Sequence, residues 1–298
     1  MGCSNKLVVH TSVFVDGPDG GNACPVVIDG SDITSDQGCH LAQQFGAETI
    51  IVGKSKNPEL AFSLRYFVPL YEMEMCVHGT IAAVTALLRR NLITTSPVGI
   101  ETTLGEISVE WKEEKGGIQV TVYQFLPEFS KNNPTVDEVA SALRVPLNFI
   151  NSTNWPIASI STSRYKLIVP LITEKILNEV EPDYDALWEI CDKYNITGFY
   201  PFSGESGFYT ARQFPKRVGY NEDPATGVAA SALGAYLATY GESTNGWNIF
   251  HIRQGYAMKR PSLLSARILI KDGSIIRTSV VGKAIIHNES IEKIQNII

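Results

Sequence analysis

Glu222-Asp223-Pro224-Ala225-Thr226-Gly227, running on into Val228-Ala229-Ala230-Ser231-Ala232-Leu233, is the stretch on which the fold turns. It follows Arg212-Gln213-Phe214-Pro215, and the same order occurs earlier in the chain. There Arg65-Tyr66-Phe67-Val68-Pro69 leads to Glu72 and Glu74, then to Cys76-Val77-His78-Gly79-Thr80-Ile81-Ala82-Ala83. Both copies read as a strand, a turn carrying acids, and a helix whose first turns carry small side chains. They lie about 150 residues apart, half of the 298-residue chain, which is the mark of a duplicated α/β unit. Chance is the alternative, because alanine-rich helices are common; the shared Arg-x-Phe lead-in and acidic turn weigh against it. Small residues at a helix start have two physical uses. They let the helix sit deep in a sheet where bulk would clash, and they leave the first N–H groups open to an anion at the positive end of the helix dipole.

Outside the repeat, Val8 to Val15 reads as a first strand closed by Gly17-Pro18-Asp19-Gly20-Gly21-Asn22. Ser31 or Asp32 can cap a helix that runs to Phe45 and breaks at Gly46. Thr49 to Val52 and Leu64 to Val68 are short strands, and Gly79 to Arg90 is a helix. Glu101 to Trp111 and Ile118 to Val122 read as paired strands joined across Lys112 to Gly117. Helices follow at Thr135 to Leu143, Tyr184 to Lys193 and Ala229 to Tyr240; strands follow at Tyr165 to Pro170, Gly207 to Phe214 and Arg267 to Ile286.

Composition narrows the function. Hydrophobic residues make up 44% and charged residues 19%, ample apolar material to bury in two domains of ordinary size or one large one. A net charge of −6 argues against a phosphate-backbone binder. No apolar run approaches the roughly 20 residues of a membrane span, and the N-terminus has no signal-peptide pattern. Met1-Gly2-Cys3 invites a lipidation reading, but Lys6 stands where the pattern needs Ser or Thr. Cys3, Cys24, Cys39, Cys76 and Cys191 are odd in number and never spaced as metal-ligand pairs. They read as free thiols of a cytoplasmic protein.

The quoted residues resemble the motifs of the PhzF-like family. Glu222 to Gly227 is similar to its most characteristic motif, and Asp16-Gly17-Pro18-Asp19-Gly20-Gly21-Asn22 to its early turn. Glu48-Thr49, Arg65 to Pro69, Cys76 to Thr80, Gln254-Gly255 and Arg260-Pro261-Ser262 match in order. The resemblance covers residue 8 to about 262. It implies an α/β (α+β) fold of the diaminopimelate epimerase type: two pseudo-symmetric domains, each a mostly antiparallel sheet curled around a central helix. The domains are expected over 1–118 with about 285–298, and over 119–284. It further implies a homodimeric, cofactor-free isomerase with no metal, acting on a small carboxylate-bearing metabolite in a cleft between the domains.

By the same resemblance Glu48 is the general acid/base, with Asp223 and His78 as further catalytic groups. Gly21, Asn22, Cys76, Gly79, Thr80, Thr226, Gly227 and Val228 are the expected substrate-binding residues. A carboxyl group walled off from water suits both halves of a proton transfer on carbon. Each role has a plainer counterpart. Spacing alone makes Glu48 the start of a surface strand, Asp223 a turn or capping residue, and His78 a packed side chain.

Cys76 falls where racemases of this fold carry the first of two opposed thiols, but Thr226 stands at the partner position, and a hydroxyl is too weak a base to replace a thiolate. Val77 stands where the family usually has Gly, Val228 and Ala47 where it has Ser. Two alternatives to the isomerase therefore stay open: a non-catalytic metabolite-binding protein that kept the fold, and a Cys-dependent epimerase.

Overall fold

In the computed structural model, which describes residues 4–151, 153, 155–205, 207–241 and 243–294, the chain divides into two units. One holds the residues up to Tyr123 and those from Val281 onward; the other is Gln124–Val280. Met1-Gly2-Cys3, with the lipidation reading, lies outside the described residues.

The first part of the chain forms β1 (Ser4–Val13), β2 (Asn22–Ile28), α1 (Ser35–Phe45), β3 (Thr49–Gly53), β4 (Phe62–Phe67), β5 (Glu72–Met73), α2 (Val77–Arg89), β6 (Val98–Thr102), β7 (Gly105–Glu114) and β8 (Gly117–Gln124). Then come β9 (Glu128–Phe129), α3 (Val136–Leu143), β10 (Ala158–Ser161), β11 (Tyr165–Pro170), α4 (Glu174–Glu179), α5 (Tyr184–Tyr194), β12 (Gly198–Glu205), β13 (Phe208–Ala211), β14 (Phe214–Pro215), α6 (Gly227–Tyr240), β15 (Gly246–Gln254) and β16 (Ser262–Lys271). The last strand, β17 (Ser274–Ile294), begins in the second unit and ends in the first. No helix of the described residues is long and apolar enough to cross a membrane.

Local chemistry sets the element ends, and it corrects three expectations. The cap of α1 is Thr34, not Ser31 or Asp32: its hydroxyl accepts from the Gln37 N–H while the Gln37 side chain accepts from the Thr34 N–H. Gly46 closes the helix with φ 61°. The strand expected over Glu101 to Trp111 is a hairpin, because Thr102 pairs with Gly105, whose φ is 112°. The connection expected over Lys112 to Gly117 shrinks to Lys115-Gly116, with Glu114 paired to Gly117.

In the first unit, β2 joins β3 in parallel across α1, and β4 joins β6 in parallel across α2. The β1–β2, β3–β4, β6–β7 and β7–β8 pairs are antiparallel. β17 pairs with both β1 and β8, so the strand order returns on itself. Within it α2 packs against β1, β2 and β3 and is buried from Val77 to Leu87. A helix buried on every side has no room for a polar stripe, which explains its composition.

The second unit repeats the wiring. β11 joins β12 in parallel across α4 and α5, β13 joins β15 in parallel across α6, and β12–β13 and β15–β16 are antiparallel. α6 packs against β16, β10, β11 and β15 and is buried from Gly227 to Ala238. The duplicated Arg-x-Phe and acidic turn take up one arrangement twice. Arg65 forks onto Glu72 (2.8 and 2.6 Å) and lies 4.9 Å over the Phe67 ring. Arg212 forks onto Glu222 (2.8 and 2.8 Å) and lies 4.8 Å over Phe214. Each also donates to backbone carbonyls: Arg65 to Ile33, Arg212 to Leu177 and Val180.

Candidate active site

Strand β3 and helix α2 bring the first group together. Glu48 leaves the Gly46 cap and enters β3, beside the start of α2. Cys76 is the N-cap of α2, where its sulfur accepts from the Gly79 N–H at 3.3 Å. The thiol donates to Glu48 Oε2 at 3.0 Å. His78, in the first turn of the same helix, places Nε2 at 3.4 Å from that oxygen and its two ring nitrogens at 3.3 and 3.7 Å from the sulfur. The His78 side chain is 3% exposed and that of Glu48 11%, so the carboxyl group is shielded but reachable. From spacing alone this Glu would have been a surface strand start.

Burial, then the Glu48 charge, then Cys24, push the Cys76 thiol well above its ordinary range. Burial and the same carboxylate push Cys24 up as well. Both sulfurs are therefore protonated at neutral pH. Cys76 serves the carboxylate as a hydrogen-bond donor.

The neighbouring residues divide into packing and site. Thr80, fully buried, gives its hydroxyl hydrogen to the Cys76 carbonyl (2.9 Å) and accepts from Tyr66 Oη (2.9 Å), which fixes the helix start. A Cβ on Gly79 would stand 2.2 Å from Ile50 Cδ1, so glycine here lets α2 press onto β3. Gly21 sits at φ 85°, and a Cβ there would stand 2.7 Å from the Val13 carbonyl. It turns the chain into β2, whose first residue is the buried Asn22.

In the second unit Thr226 occupies the N-cap of α6, the place Cys76 holds on α2. Its hydroxyl donates to Asp223 Oδ2 in a short hydrogen bond. Gln254, at the end of β15 and fully buried, ties the turn together. Its amide donates to the Asp223 carbonyl (2.7 Å) and to Thr226 Oγ1 (3.1 Å). Its carbonyl accepts from the Thr226 N–H (3.1 Å) and from Tyr200 Oη (2.8 Å). Gly227 and Val228 open α6 and are buried. Glu48 enters at strand β3, ahead of α2, and Asp223 in the turn before α6, so the two groups differ chemically within one wiring.

In the sequence Gln254 stands only as part of a family match with no role attached, and Tyr200 has none. They act through a single buried amide that joins residues 54 and 28 positions apart.

Comparisons with known proteins agree with this architecture. A family model described as phenazine biosynthesis-like protein (PhzC-PhzF) matches residues 11–290. The uncharacterized isomerase YfhB of Bacillus subtilis is 28% identical over 294 residues, covering 96% of this chain and 98% of its own. A PhzF-family phenazine biosynthesis protein of Bacillus anthracis superposes with a TM-score of 0.86 at 24% identity, over 97% of this chain and 99% of its own. A hydroxyproline epimerase from Agrobacterium vitis, solved with trans-4-hydroxy-L-proline, gives 0.69 at 13% identity, over 98% and 93%. The fold is of the diaminopimelate epimerase type shared by these structures.

Proposed function

The chain belongs to the PhzC-PhzF family of phenazine biosynthesis-like proteins, a family with isomerase members, and we propose that it is a cofactor-independent isomerase using Glu48 to move a proton on a small carboxylate-bearing metabolite. The observation that carries the reading is the Glu48 carboxylate held at 3.0 Å by the Cys76 thiol and at 3.4 Å by His78.

Glu48, ionised, takes a proton from a substrate carbon and becomes the neutral acid. The electron pair left behind delocalises toward the substrate's unsaturated group. Glu48 then returns the proton to a second carbon and ends as it began, so protons and electrons balance without an external reagent. The thiol of Cys76 steadies the carboxylate before abstraction, and His78 orients it. The positive end of a buried helix favours the substrate carboxylate. In the second unit Asp223, held by Thr226 and Gln254, is the further proton-handling group. Gly21, Asn22, Gly227 and Val228 shape the binding surface, and the reading includes a cytoplasmic homodimer.

Candidate metabolites incubated with the protein in heavy water, with C–H loss followed by NMR, test this. Glu48→Gln should slow exchange by about a thousandfold; an unchanged rate rejects the reading. Val228, buried at the first turn of α6 with no hydroxyl to offer, favours a second reading: a binding protein without turnover. Tight ligand binding by the wild type with no exchange would establish that one.

A further inference from the structure

Glu48, Cys76 and His78 bring a carboxylate oxygen, a thiol sulfur and an imidazole nitrogen within 4.8 Å of one another. We infer that these three side chains form a site for a zinc ion, with a water or a substrate oxygen as the fourth ligand.

The geometry fits that ion. Tetrahedral zinc with sulfur at about 2.3 Å and nitrogen or oxygen at about 2.0–2.1 Å spaces its ligand atoms about 3.3–3.6 Å apart. His78 Nε2 lies 3.7 Å from Cys76 Sγ and 3.4 Å from Glu48 Oε2. The Cys76–Glu48 pair, at 3.0 Å, has to open by about 0.5 Å as the ion replaces the thiol hydrogen between them. Charge fits too. Binding expels one proton from Cys76, and the resulting thiolate and the Glu48 carboxylate neutralise a divalent cation in a shielded place. The Gly79 N–H already points at the sulfur and supplies an outer hydrogen bond to the thiolate. Sulfur and imidazole together select zinc over magnesium or calcium.

Capture of the ion occupies the Glu48 oxygen that the acid/base reading needs. Resting on that reading, the site makes zinc an inhibitor of the enzyme.

Metal-stripped full-length protein, titrated with zinc against a chromophoric chelator, should bind one equivalent. Cys76→Ser and His78→Ala should each weaken binding at least about tenfold, while Cys39→Ser, away from the cluster, should leave it unchanged. Cobalt(II) on the wild type should show a thiolate-to-metal charge-transfer band, a readout that needs no variant to fold. Absence of stoichiometric binding, or a cobalt spectrum without that band, overturns the site. In the deuterium assay, one equivalent of zinc should abolish exchange and a chelator restore it. Exchange that persists with zinc bound overturns the inhibition. Exchange absent with and without zinc rejects the isomerase reading, while the binding data still decide the metal site.

Discussion

At Cys76 one sulfur atom meets a carboxylate, an imidazole and a backbone N–H within 3.7 Å. Its burial keeps the hydrogen on sulfur, so the residue stabilises Glu48 instead of competing with it. Cys76→Ser should therefore keep deuterium exchange within about tenfold of the wild type, because a hydroxyl can still donate to the carboxylate. A thousandfold loss, with Glu48→Gln retaining activity, would make the thiol the base. Little of this was legible residue by residue. Glu48 and Cys76 are 28 positions apart, and no periodicity links a strand start to a distant helix cap. The family motif supplied the candidates, and the coordinates supplied the hydrogen bonds between them.

At the scale of elements, close approach of α2 to β3 sets the place of Cys76 and His78. Gly79→Ala would push a methyl group into Ile50 and should cost about 1–3 kcal/mol in urea unfolding. Adding Ile50→Val, which removes the clashing Cδ1 atom, should return part of that loss. A cost unchanged in the double variant would show that some other contact is at fault.

Helix α3 offers a pH test. The Lys193 ammonium, the Thr135 N–H and the Tyr194 hydroxyl hold Glu138 down at about 2, from an ordinary value of 4.5. A carboxyl lowered on folding stabilises the protein fully above its unfolded value. That contribution fades as pH falls from 4.5 toward about 2. Glu138→Gln should thus lower stability at neutral pH and flatten its decline over that interval; an equally steep decline would count against the assignment.

Element order was partly readable, and the failures have physical causes. Ser31, Asp32 and Thr34 are all good caps, and only the reach of Gln37 back to Thr34 chooses among them. β2 has no counterpart in the sequence reading, and Pro25 in its middle weakens the strand pattern. Its ladder to β3 engages only Val26 and Val27, beyond the proline.

On the scale of the whole molecule, duplication is the organising fact, and it was legible because the repeated residues do the same work twice. The copies differ in burial: the Arg212 side chain is 10% exposed and that of Arg65 29%. Removing one partner of a buried ion pair costs about 3–5 kcal/mol, and exposed pairs much less. Arg212→Met should therefore destabilise the protein more than Arg65→Met in chemical denaturation. Equal losses, or the reverse order, would show that burial does not set what each ion pair contributes.

The course of β17 has a consequence for synthesis. Residues 281–294 complete the unit that the N-terminal strand begins, with Ile294 opposite Ser4. A ribosome thus delivers Gln124–Val280 as one uninterrupted stretch, while the earlier-made unit waits with an open sheet edge for the last strand. The segment born second is free to fold first, and β1 remains a vulnerable border until residues 281–294 emerge.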